Sequence, residues 1–221
     1  VVSKGAGAGV LKDIDLMVKL TKAVVNSTEL PVTVKTRLGW DTESINIEEV
    51  AERLQEVGIK ALTIHARTRT QMYKGKADWE YISKVKNNPN IEIPIFGNGD
   101  IDSPETALEY REKYNIDGMM IGRGAIGYPW IFNEIKHFFQ TGEKLPPPTI
   151  KDRLEAVRQH AEWSAEWKGE RAGLIEMRQH YSNYFRGIPH FKEYRTKFLQ
   201  VLTMQEMESV LEEIYTQLDK E

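Results

Sequence analysis

There is no cysteine anywhere in the 221 residues. That absence removes disulfides, thiolate metal sites and any cysteine acid or nucleophile from the chemistry these residues can perform. Long apolar runs are missing too. None approaches the roughly 20 residues that span a bilayer, and the opening VVSKGAGAG lacks the charged-then-apolar layout of a secretion signal. A cytoplasmic location away from any membrane is therefore expected. Charge of one sign is also scarce: 30 Lys and Arg against 33 Asp and Glu leave a net −3. The whole chain thus carries no signature of nucleic-acid binding, and any such case must rest on local charge.

What is present is a pattern of alternation. Four short β-branched or apolar runs, residues 32–37 (VTVKTR), 61–66 (ALTIHA), 93–98 (IPIFGN) and 118–123 (GMMIGR), alternate with amphipathic helical stretches. This is the layout of parallel strands joined by helical crossovers. The periodicity predicts helices over residues 13–26, 47–57, 79–86, 104–114 and 128–139, with Ser103 as an N-cap and Pro104 as the first helical residue of the fourth. Four β/α units in about 145 residues, against about 250 for a closed eight-stranded barrel, read as half a barrel or a small open sheet. Leu145-Pro146-Pro147-Pro148 is a stiff connector that no helix can cross. The expected organisation is an α/β unit at residues 1–141, a linker at 142–149 and a helical bundle at 150–221.

The strand ends carry the chemistry. Lys35 and Arg37 end the first strand, His65 and Arg67 the second, Asn98-Gly99-Asp100 the third and Gly122-Arg123-Gly124 the fourth. In β/α barrels the reacting groups sit at these ends, and a phosphate often lies beyond the last two strands. Gly99 and Gly122 allow backbone N–H groups close to a phosphate, and Arg123 offers a forked pair of charged donors. Either loop alone reads as an ordinary strand-to-helix turn, glycine being the default turn residue; the pair reverses that preference in favour of a phosphorylated cofactor. Lys35 in an apolar strand needs an anion or a wet strand end, and its plainer reading is a lysine snorkelling from the rim. His65 can donate to an electron-rich ring or be a satisfied structural histidine. The run Gly5-Ala6-Gly7-Ala8-Gly9 has neither a preceding strand nor a well-placed acid for a dinucleotide loop, and reads as a flexible lead into the first helix.

The segments VKTRLGW (34–40), LTIHARTRTQMYKGKADW (62–79), NGDI (98–101), MIGRGAIGYPWIF (120–132), TGEKLPPP (141–148) and MRQHYSNYFRG (177–187) resemble, in order and spacing, the bacterial tRNA-dihydrouridine synthases. The resemblance implies the C-terminal half of a (β/α)8 TIM barrel that binds FMN, its strands being the fifth to eighth, followed by an all-α tRNA-binding bundle. It implies that Lys35 and His65 contact the flavin ring system and that Asn98, Gly99, Asp100, Gly122 and Arg123 hold the ribityl phosphate region. The implied reaction reduces the C5=C6 bond of uridine in tRNA: NADPH reduces FMN, hydride reaches C6, and a cysteine protonates C5. That cysteine, in a Cys-Pro motif, would lie shortly before residue 1. The expectation is therefore of an inactive fragment with no catalytic acid of its own. Its open strand edges would lead to dimerisation, aggregation or pairing with a companion N-terminal segment.

For the RNA side, residues 171–197 carry six Lys/Arg (Arg171, Arg178, Arg186, Lys192, Arg195, Lys197) against two acids, a balance of +4, whereas residues 203–221 balance at −5. The basic stretch can track phosphates, with Arg178 and Arg186 as contacts, or be a solvated helix face. Tyr181, Tyr184 and Phe185 read as stacking surfaces or as core packing. Arg67, Thr68 and Arg69 are placed to receive a base drawn out of its stack. Two other readings remain open: another FMN barrel oxidoreductase acting on a small molecule, and a non-catalytic RNA-binding remnant.

Overall fold

The computed structural model describes residues 5–189 and 191–218. Four strands, β1 (Thr33–Arg37), β2 (Ala61–His65), β3 (Ile95–Asn98) and β4 (Gly118–Met120), form one parallel sheet in the order β1-β2-β3-β4. Helix α1 (Ile14–Val25) precedes β1, and α2 (Ile47–Glu56), α3 (Glu80–Lys86) and α4 (Pro104–Tyr114) make the three crossovers. The Asp13 carboxylate accepts from Leu16 N at 2.9 Å to start α1, and Ser103 Oγ accepts from Thr106 N at 3.1 Å to start α4. Asn115, left-handed at φ 49°, ends α4. Asparagine tolerates that region because its short amide compensates locally.

The register decides which residues share a face. Lys35 pairs with Thr63, Arg37 with His65, and His65 with Asn98, so these residues lie on one side of the sheet. Leu62, Ile64 and Ile95 point to the other side and are fully buried. Strand β1 is more open than a core strand, with Thr33 and Lys35 exposed, because only β2 pairs with it among the described residues. Instead of a flexible lead, residues Gly7–Lys12 form a 3-10 helix. Leu11 buries against the unit and Lys12 Nζ sits 3.9 Å from the centre of the Trp40 ring, tertiary contacts that a local reading does not see. The last strand stops at Met120, and residues Arg123–Ala125 form a 3-10 turn.

The chain divides into two compact units, residues 1–124 and 125–221. The linker expected at 142–149 thus lies inside the second unit, which begins before α5 (Ile131–Thr141). Gly127 explains why: at φ 66° its missing side chain lets the backbone run against α7 (Glu170–Tyr184), where a Cβ would come within 2.5 Å of Asn183 Cβ and 2.6 Å of Tyr184 N. Residues 143–148 are non-helical, and Thr149 then caps α6 (Ile150–Lys168) with Asp152 reciprocating. Helices α6 and α7 form a tight hairpin in which a Cβ on Gly173 would lie 2.5 Å from the Ser164 backbone. Helices α8 (Lys192–Phe198) and α9 (Met204–Leu218) close the bundle. Its core stacks Tyr181 on Phe198 at 4.3 Å and Phe185 on Phe191 at 4.5 Å. The whole is a partial β/α barrel arrangement with an all-α bundle.

Candidate functional site

At the C-terminal end of the sheet, Arg37, His65, Asn98 and Met120 form one row across the four strands. Lys35 sits two residues back on the same face of β1 and, with Arg37, lines a cavity of about 380 Å³ beside α1. Asn98 Nδ2 donates to Met120 O at 2.7 Å, tying β3 to β4 at this level. The sequence-predicted residues of unit 1 therefore converge on one end of the sheet.

Arg67 and Asp100 organise that end. Arg67 is 2% exposed, and its Nη2 donates to both Asp100 carboxylate oxygens at 2.8 and 2.7 Å and to Gly75 O at 2.6 Å, while Nε reaches Lys74 O. Asp100 also accepts from Ala77 N at 2.8 Å and from Arg123 Nη2 at 3.1 Å. Burial alone would raise the Asp100 carboxyl, but the Ala77 amide and the two guanidinium groups outweigh it and hold its pKa below the usual range. Asp100 is thus an orienting anion for Arg123. Thr68, also buried, caps its own turn: Thr68 N donates to Gln71 Oε1 at 2.9 Å and Gln71 N returns to Thr68 Oγ1 at 3.3 Å. Of the three residues expected to receive a base, Arg67 and Thr68 build the loop, and only Arg69 stands partly in solvent.

The glycines at this end differ in cause. Gly97 is demanded by Trp79, whose ring a Cβ would enter at 2.0 Å, and Gly99 by its φ of 132° and by Ala77 at 2.8 Å. Gly122 has neither constraint: it is exposed, and a Cβ there would meet protein no closer than Asn98 Nδ2 at 4.0 Å. A glycine that the protein itself does not require leaves open backbone next to Arg123, whose side chain is 55% exposed. Arg67 Nη1 is a buried donor without a protein partner at the same end. Open amides, an oriented guanidinium and a spare donor are the parts of an anion site.

Cations dominate the electrostatics: Arg67 and Arg123 both bind the Asp100 carboxylate, and Arg37, Lys35 and Arg67 act on His65. Burial, then Arg37, Lys35 and Arg67, push the His65 pKa down to about 4, so its imidazole is neutral at pH 7. Desolvation, aided by Arg37, also lowers the Lys35 pKa. Because the folded His65 binds a proton less readily than the unfolded one, its stability contribution is complete above pH 6.5 and is lost as pH falls towards 4. Wild type should lose about 2 kcal/mol between pH 7 and pH 5 relative to His65→Gln. Urea denaturation of both proteins at the two pH values checks this; parallel losses would place the imidazole proton elsewhere.

Two residues of the site were not singled out from sequence for the contacts they make. Tyr73, 56% exposed, has the Arg123 guanidinium 4.7 Å and the Arg37 guanidinium 6.0 Å from its ring centre, with His65 at 6.4 Å. Trp79 is 1% exposed and donates Nε1 to Gly99 O at 3.0 Å. In the second unit Arg186 is exposed and donates to Asn183 Oδ1 at 3.1 Å, Arg178 is half-buried with its Nε turned inward, and Tyr181, Tyr184 and Phe185 are core. Among the described residues no cluster of three or more His, Asp or Glu could hold a metal ion, and no helix is long and apolar enough to cross a membrane.

The chain is 41% identical over 213 residues to the probable tRNA-dihydrouridine synthase 1 of Synechocystis sp., covering 96% of this chain and 59% of that protein. It is 40% identical over 195 residues to the probable tRNA-dihydrouridine synthase of Rickettsia bellii, covering 88% of this chain and 59% of that one. With the tRNA-dihydrouridine synthase B of Pseudomonas aeruginosa it shares 39% over 198 residues, covering 90% and 59%. The chain thus spans about three fifths of the length of these relatives. The family model for dihydrouridine synthase matches residues 1–219, and the chain belongs to that family.

Proposed function

We propose that this chain supplies flavin-binding and tRNA-binding surfaces for the reduction of uridine to dihydrouridine in tRNA. The observation that carries the reading is the polar end of the sheet, where Lys35, His65, Asn98 and Arg123 converge beside a glycine the protein does not itself need. The donor set fits FMN. Gly122 and Arg123 would hold the phosphate, with Asp100 keeping Arg123 in place and Asn98 and Gly99 shaping the floor. Lys35 and neutral His65 would face the ring system. A bound flavin supplies hydride to the uracil C5=C6 bond, with NADPH as the proposed source of electrons.

The residues of this chain orient and exclude. Lys35 offers a positive charge to an electron-rich ring, and His65, uncharged at pH 7, can donate one hydrogen bond without adding to an already cationic site. Arg69, partly exposed, would meet the approaching RNA strand. The acid that protonates C5 is assigned to no residue of this chain, which has no cysteine. Among the described residues no strand pairs with the outer edges of β1 and β4, which would take a further strand from a companion segment or a second copy. In the bundle, exposed Arg186 and half-buried Arg178 would track tRNA phosphates.

The test is tRNA incubated with FMN, NADPH and the protein joined to a companion segment that supplies the acid, followed by mass spectrometry of its nucleosides. A uridine gaining two hydrogens only when FMN is present supports the reading. Reduction of a small-molecule enone with tRNA untouched would favour the small-molecule oxidoreductase instead. In the binding limb, Arg186→Glu and Arg178→Glu should each weaken tRNA binding and lower the salt slope by about 1. Unchanged slopes for both would remove the bundle from the interface.

A further inference from the structure

We propose that Arg37 is a positioning residue which, from the end of β1, holds the loop of residues 68–75 in its substrate-receiving shape through the backbone of Met72. The inference rests on the tRNA reading of the site. Arg37 Nη1 donates to Thr68 O at 2.9 Å and to Met72 O at 3.2 Å, bridging the first and fifth residues of the loop. Between those two points the loop turns on itself, with Met72 N donating to Arg69 O at 3.2 Å and Lys74 N to Gln71 O at 2.9 Å.

Met72 stands at φ 53°, in the left-handed region, with a side chain 51% exposed. An L-residue other than glycine enters that region only where its surroundings impose it. The Arg37 bond to Met72 O is one such constraint, and Arg67 supplies the other by binding the carbonyls of Lys74 and Gly75. Tyr73 follows at once and projects beside Arg123. The exposed side of this segment carries Tyr73, Lys74 and Lys76, and combines an aromatic face with cations, the surface that suits a single nucleic-acid strand. Arg37 differs from those residues because its Nη1 is engaged by main-chain oxygens.

A direct anion ligand and a strap make different predictions. In the protein carrying Arg37→Met, trypsin should cut at Lys74 and Lys76 about tenfold faster, and tRNA affinity should fall about tenfold. Adding Met72→Gly should recover about threefold of the tRNA affinity, because glycine takes the left-handed conformation without a Cβ penalty. The proposal is overturned if cleavage is unchanged in Arg37→Met. It also fails if Met72→Gly rescues nothing while Arg37→Lys behaves as wild type, since a point charge would then suffice. Wild-type protein that binds no tRNA would sink the functional reading itself, and the cleavage comparison alone would then judge the strap.

Discussion

Arg67→Met is expected to destabilise the protein by about 3 kcal/mol, the lower end of the cost of breaking a buried ion pair from one side. Methionine replaces the apolar stem, so the loss is polar. It strands the Asp100 carboxylate and the carbonyls of Lys74 and Gly75, each of which now takes a guanidinium N–H. The lower end applies because Asp100 is 27% exposed and retains Arg123 and the Ala77 amide. The effect should shrink in acid: Asp100 has a depressed pKa, so its contribution is present above the unfolded carboxyl pKa and is lost as pH falls through the folded one. Urea denaturation at pH 7 measures the difference. A loss under about 1 kcal/mol would mean that the loop does not depend on this arginine.

Trp79→Ala should cost more, about 3–5 kcal/mol, the range for removing a buried large aromatic. The indole is enclosed by Tyr110 at 4.4 Å and Tyr114 at 5.7 Å, rests on Gly97 and binds Gly99 O. Its loss would leave a cavity under β3 and an unpaired carbonyl at the strand end that carries Asn98 and Asp100. FMN affinity should therefore fall along with the urea midpoint. Retained affinity at a lowered midpoint would separate the support of β3 from the site.

Much of this was legible because it is local. Ser103-Pro104 announces α4 by its own side-chain chemistry, and the β-branched runs lie within two or three residues of the observed strands. The polar strand ends were legible as well, since four in succession are hard to reconcile with a purely apolar barrel. What was hidden depends on contacts distant in sequence. Arginine composition normally signals solvent, so nothing in ARTR separates buried Arg67 from partly exposed Arg69. The unit boundary before α5 depends on Gly127 meeting α7 more than 50 residues later, whereas the proline run at 146–148 is the louder local signal. The ordered turn at Gly7–Lys12 likewise needs Trp40.

The central claim is that the glycine and arginine after β4 hold a flavin phosphate, and the most direct test compares FMN with riboflavin, which lacks only that phosphate. Fluorescence titration of wild type should show FMN binding about 100-fold more tightly, as two or so charge-assisted hydrogen bonds supply. In Gly122→Val the ratio should collapse towards one with stability within about 0.5 kcal/mol of wild type, because a Cβ at Gly122 meets no protein atom closer than 4.0 Å. Equal affinities for the two flavins in wild type, or a ratio that survives Gly122→Val, would contradict the account.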